Sequence, residues 1–204
     1  MPISLSAPRR AHVALAAMLW PQRAEQFPNW LRLSVLIVFG TALLSVSAKA
    51  NLPLPLVPMT LQSLMVLLIG AVYGARLGAA TVFAYVAEGA IGLPVFAGPT
   101  AGLAVLIGPS GGYLAGFVAA AFVVGWLAER GGDRTMLRLF AVMAIGHFII
   151  FALGFAWLAY GLEFEAERAW LVGVLPFLGG ALIKNALGAF LLPTIRRGLD
   201  RRHR

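Results

Sequence analysis

Six apolar runs, at about residues 31–48, 60–73, 75–91, 111–128, 138–160 and 170–194, fill most of this 204-residue chain and leave short connections between them. A helix needs about 20 mainly apolar residues to cross a bilayer core. The runs therefore predict an all-α integral membrane protein with six transmembrane helices. Composition agrees: 60% of residues are apolar and 12% charged, against about 45–50% and about 25% in soluble domains. Too little polar sequence remains to cover a soluble exterior. The same figures exclude disorder, collagen and coiled coil, and leave no room for a soluble catalytic or nucleotide-binding domain. The chain divides into a cytoplasmic or interfacial segment (1–30), a membrane domain (31–194) and a basic cytoplasmic tail (195–204).

The net charge of +8 is a topology signal. With both termini cytoplasmic, thirteen of the sixteen Lys and Arg lie on the inner side: Arg9, Arg10, Arg23, Arg32, Arg76, Arg130, Arg134, Arg138, Arg196, Arg197, Arg201, Arg202 and Arg204. Lys49 and Arg168 fall outside, and Lys184 lies within the sixth run. That is the positive-inside pattern. No soluble segment interleaves basic and aromatic residues, so nucleic acid is not the partner; the lipid bilayer is. Arg9 and Arg10 precede a short apolar run, Ala11 to Trp20, like the head of a signal peptide. Its shortness favours an interfacial segment instead.

Two connections are unusual. Leu52-Pro53-Leu54-Pro55-Leu56-Val57-Pro58 is apolar yet cannot be helical, because three prolines fall within six residues. Thr60 is placed to cap the helix that follows. Residues 92–113 carry no charge and much Gly and Pro, including Gly92, Pro94, Gly98, Gly111, Gly112 and Tyr113. Backbone this irregular and apolar must be buried in protein or line a cavity, since lipid satisfies no polar group. It predicts a loop folded over a pocket.

Lys184 is the leading candidate for chemistry. A lysine inside a span costs about 2.5–3.5 kcal/mol on insertion scales and marks a substrate or ion pathway. It sits about nine residues before Pro193, roughly 13 Å by helix rise, too deep to snorkel easily. A small anionic ligand would be its natural partner. Glu88, the one acid inside a span, has Tyr85 on the same helical face and could pair with Lys184, meet a ligand or reach the headgroups. Gln62, with no capping duty, is a better ligand contact than Thr60.

His147 is isolated and reads as a packed, hydrogen-bonded group. No His or carboxylate cluster has metal-ligand spacing, and the chain has no cysteine, so no metal or cofactor is expected. Gly108-Pro109-Ser110-Gly111 resembles the Gly-x-Ser-Gly turn of rhomboid intramembrane proteases, with His147 as the base. The match is only four residues long. Leu61 to Val72 also lacks the histidine and asparagine that such a protease needs there. The chain is not read as an enzyme, and without a phosphate-binding Gly-x-x-x-x-Gly-Lys-Ser/Thr motif it does not hydrolyse ATP.

Four ordered strings carry a resemblance. They are Pro55-Leu56-Val57-Pro58-Met59-Thr60-Leu61-Gln62, Gly89-Ala90-Ile91-Gly92-Leu93-Pro94-Val95-Phe96-Ala97-Gly98, Leu106-Ile107-Gly108-Pro109-Ser110-Gly111-Gly112-Tyr113-Leu114 and Pro176-Phe177-Leu178-Gly179-Gly180-Ala181-Leu182-Ile183-Lys184. Together they resemble the BioY family, the biotin-capture S components of energy-coupling factor (ECF) transporters. The resemblance implies a six-helix S-component fold in a bacterial inner membrane that captures biotin from outside. It implies Thr60, Gln62, Tyr85, Glu88, Phe96 and Lys184 as substrate-binding residues, under the loop that carries the glycines above. Biotin would be cargo, not cofactor. A membrane T component and cytoplasmic ABC-type ATPases would be the partners, met through small residues of the first helix, Thr41, Ala42 and Ser45. The chain departs from the family pattern at Ala181, where many relatives are acidic, and near Thr100–Gly102, where many carry an arginine. Another small vitamin is the alternative ligand. Homo-oligomerisation is left open.

Overall fold

The prolines and glycines set where the helices stop. In the computed structural model, which describes residues 28–98 and 100–202, helix α1 (Asn29–Lys49) follows Pro28 and ends on a lysine that complements its negative C-terminus. The segment 1–27, with its expected interfacial run, lies outside the described residues, as do Pro99 and the last two residues. The proline-rich stretch forms a hairpin loop. Its stem is a two-residue antiparallel ladder, β1 (Asn51–Leu52) against β2 (Met59–Thr60), pairing Asn51 with Thr60 and Leu52 with Met59.

Helix α2 (Gln62–Tyr73) stops at Gly74, whose φ of 84° suits glycine, and α3 (Ala75–Ala90) begins at once. The free N-terminal N–H of Ala75 donates to Glu129 Oε1 at 2.9 Å, which ties this turn to a residue 54 positions later. A short helix α4 (Leu103–Ile107) interrupts the long glycine-rich loop. Helix α5 (Gly111–Leu127) closes in a wide turn, Ala128–Gly132. Helix α6 (Met136–Ala156) starts with Thr135 Oγ1 accepting from Arg138 N at 3.3 Å and closes in a similar turn, Trp157–Gly161.

The run at 170–194 is not one helix. Helix α7 (Ala166–Gly173) ends, the chain turns at Val174, and α8 (Leu175–Arg202) follows. Pro176 explains the break. It has no N–H for the carbonyl of Val172, so α7 cannot run through it, whereas the start of a new helix tolerates proline.

Helix α5 is central and packs on α2, α3 and α6. Its apolar stretch is 61% buried against 33% for α1. Backbones approach closely around it: a Cβ at Gly70 would strike the Ala121 backbone, and one at Gly116 the Ile150 backbone. Tyr85, Leu44, Leu67, Leu139, Met143 and Ile150 fill the interior, while Val38, Phe39, Phe83, Phe148, Ile183 and Phe190 are exposed. An apolar exterior of this extent suits lipid. Among the described residues, four stretches are long and apolar enough to cross a membrane: Asn29–Lys49, Gly111–Gly132, Met136–Gly161 and Ala166–Thr194. Gln62–Tyr73 is a shorter apolar helix.

Candidate functional site

At the end of the bundle that carries Lys49 and Thr60, two connections close over the helices. The proline hairpin brings Leu56, Val57, Pro58 and Thr60 across from one side. The glycine-rich loop brings Phe96, Ala97, Gly98 and Thr100, then Ala104 and Val105 of α4, then Gly108, Pro109 and Ser110. With Gln62 of α2 and Tyr113, Leu114 and Phe117 of α5 they enclose a cavity of about 270 Å³. A smaller lobe of about 50 Å³ shares Val57, Pro58, Thr60, Tyr113 and Phe117 with it. This lobe continues inward to Ser63, Ile150, Phe151, Phe177 and Lys184.

The loop's polar backbone is satisfied by side chains of the bundle, as a segment shielded from water requires. Tyr85 Oη donates to the Val95 carbonyl at 2.9 Å, Lys49 Nζ to that of Phe96 at 2.7 Å, and Asn51 Nδ2 to that of Ala97 at 3.3 Å. Trp157 Nε1 holds the far end through the Gly108 carbonyl at 2.9 Å. Phe96 then packs edge-on to Tyr85, with ring centroids 5.7 Å apart, over Gly89, where a Cβ would lie inside its ring.

Lys184 turns into the smaller lobe. Its Nζ donates to the Thr60 carbonyl at 2.6 Å and to Ser63 Oγ at 3.0 Å. An ammonium has three N–H groups. The third is unassigned, and no carboxylate pairs with Lys184 among the described residues. Gln62 is 4% exposed and lines the larger lobe; its side chain lies beside the Tyr85 hydroxyl, with no other partner for its Nε2 among the described residues. The pocket therefore offers apolar walls, a buried amide and a buried cation. That set suits a small, largely apolar molecule with acceptor oxygens.

Other residues singled out in the sequence take different places. Thr60 Oγ1 accepts from Gln62 N at 3.1 Å, so its hydroxyl serves the start of α2 while its carbonyl serves Lys184. Tyr85 is fully buried behind Phe96 and, like the partly buried Glu88, does not line the cavity. Gly92 and Pro94 are exposed, and Gly92 has φ 104°. Gly111 and Gly112 let the start of α5 pass close to Trp157, and Tyr113 Oη donates to the Gly173 carbonyl at 2.6 Å. On α1, Thr41 is buried in the bundle, Ser45 is half-buried and Ala42 is exposed. His147 is packed and hydrogen-bonded: Nε2 lies 3.2 Å from Ser63 Oγ, and Nδ1 lies 3.3 Å from the Met143 carbonyl. Both ring nitrogens are thus engaged away from Ser110, which removes the serine–histidine pair a protease would need. Ser63, Lys49, Asn51 and Trp157 were not among the sequence candidates. Ser63 had a signal: it lies one turn after Thr60, a polar residue opening an apolar helix.

The BioY family model matches residues 16–201. The chain belongs to the BioY family. A biotin transporter BioY from Thermotoga maritima is 40% identical over 157 residues, 77% of this chain and 91% of that protein. A probable biotin transporter BioY from Pyrococcus horikoshii is 36% identical over 156 residues, 76% of this chain and 91% of that one. The crystal structure of an S-component for biotin from an ECF-type ABC transporter superposes with a TM-score of 0.73 at 25% identity. The match covers 84% of this chain and 95% of that one. The helical arrangement is therefore the S-component fold, and BioY proteins are transport components, not enzymes.

Proposed function

We propose that this chain captures biotin from the outer side of a bacterial cytoplasmic membrane and takes it up as the substrate-specific subunit of an ECF transporter. The carrying observation is two adjoining apolar-walled cavities, the larger lined by the buried Gln62 amide and the smaller by the Lys184 ammonium, which has no carboxylate partner among the described residues. Biotin has an apolar thioether ring and chain, with acceptor oxygens on its ureido group and its carboxylate. Gln62 Nε2 and the third N–H of Lys184 each take one such oxygen, and Phe96 and Tyr113 contact the apolar parts. Tyr85 acts from behind Phe96, and the Thr60 carbonyl holds Lys184.

In this reading α1, α2, α3, α5, α6 and α8 all cross the membrane with both termini cytoplasmic. The twelve residues of α2 span only about 18 Å, so the hairpin and loop complete its outer half. Arg76, Arg130, Arg134 and Arg138 then lie at the inner face, in accord with positive-inside topology. Energy comes from a membrane T component and cytoplasmic ATPases, and the exposed Ala42 face of α1 is the small-residue surface offered to the T component. Uptake of labelled biotin by biotin-uptake-deficient cells is the test. Co-expression with a T component and its ATPases is expected to raise uptake above that with the ATPases alone. Uptake no higher than in cells without this chain, despite its presence in the membrane, would overturn the reading.

A further inference from the structure

Beneath the smaller lobe a cluster of polar groups runs between the helices: Lys184 and Asn185 on α8, Ser63 on α2, His147 and the Met143 carbonyl on α6. Each member is buried. Apolar residues would fill this space at lower desolvation cost, so the cluster calls for a reason.

Its direction follows from what each atom can do. A carbonyl only accepts, so the proton between His147 Nδ1 and Met143 belongs to the ring. In the neutral imidazole Nε2 is then the acceptor, and the Ser63 hydroxyl donates to it. That fixes the hydroxyl rotor and turns the lone pairs of Ser63 Oγ toward Lys184 Nζ, which donates to them at 3.0 Å. The Thr60 carbonyl takes a second N–H. With two donors fixed from two directions, the third N–H has one orientation, and Lys184 lines the lobe.

We propose that Ser63 and His147 are positioning residues for ligand binding: they hold the Lys184 ammonium so that its remaining N–H faces an acceptor oxygen of the ligand. The inference rests on the reading of Lys184 as a ligand contact. A lysine chain has four rotatable bonds, and without a fixed partner its ammonium loses aim before it loses charge. His147 acts through Ser63 and lines neither cavity, whereas Ser63 lines the smaller lobe beside Lys184.

The experiment is a double-mutant cycle on the purified full chain in detergent, titrated calorimetrically with biotin. In the unmodified background Ser63→Ala is expected to weaken binding about tenfold or more, the scale of one hydrogen bond to a charged group. Ser63→Thr, which keeps the hydroxyl, stays within about threefold. In a Lys184→Gln background the Ser63→Ala change shrinks to about twofold or less, because the group it positions is gone. Coupling of this kind is not produced by a residue that only supports folding. His147→Phe packs beside Phe151 without ring nitrogens and reads the same cycle should Ser63→Ala not fold. If Lys184→Gln leaves no measurable affinity, the contrast between Ser63→Ala and Ser63→Thr decides. Unchanged affinity in Ser63→Ala, or an equal loss in both backgrounds, would overturn the inference alone. An unmodified, folded chain that does not bind biotin would overturn the functional reading and this inference with it.

Discussion

Lys184 Nζ lies 2.6 Å from the carbonyl oxygen of Thr60, a residue 124 positions earlier in the chain. The bond ties the first half of the last helix to the start of α2 and puts the cation against the smaller lobe. Burying an ammonium among apolar helices is unfavourable unless something answers its charge. Two neutral oxygens answer part of it. The remainder is what the pocket holds for its ligand.

Replacing Lys184 by Met is expected to lower biotin affinity by about 10- to 150-fold, from loss of a charge-assisted hydrogen bond worth about 1.5–3 kcal/mol. Folding is expected to persist, because the substitution also removes a buried charge. Calorimetry paired with a thermal unfolding curve in detergent checks both. Unchanged affinity in Lys184→Met would remove Lys184 from the site.

Gln62→Leu keeps the size of the side chain and removes the amide donor. Biotin affinity is expected to fall about tenfold, since the ligand oxygen it serves is desolvated without a partner. Thermal stability is expected to hold or rise, because a buried amide is replaced by an apolar group. A destabilised variant with full affinity would mean that Gln62 serves the fold.

Much of this was legible from residues alone. The apolar runs give most of the helices, and three prolines in six residues keep the segment that forms the hairpin out of helix. A lysine deep in an apolar run announces itself by its cost. What was not legible is pairing across the sequence. Lys184 finds Ser63 and Thr60 because α8 packs on α2, and nothing local in either segment says so. Tyr85 and Glu88 share a face, yet the loop lays Phe96 over that face, so the cavity wall is Phe96. The break at Val174 was hidden by an apolar run that continues through it, although Pro176 marked the place.

The clasp from α1 makes a kinetic prediction. Lys49 is exposed, yet it holds the Phe96 carbonyl, and Phe96 lines the cavity. Lys49→Met is expected to speed release of labelled biotin by about three- to tenfold, with Tyr85 and Trp157 still holding the loop. Stopped-flow or filter-binding release rates equal to those of the unmodified chain would show that the clasp does not gate the ligand.

The most direct measurement is a calorimetric titration of the purified chain, without partner subunits, using biotin and an unrelated vitamin in parallel. The account predicts one-site binding of biotin in the nanomolar range, about −12 kcal/mol, and no heat with the control. A folded sample that ignores biotin, or binds both ligands alike, would contradict it.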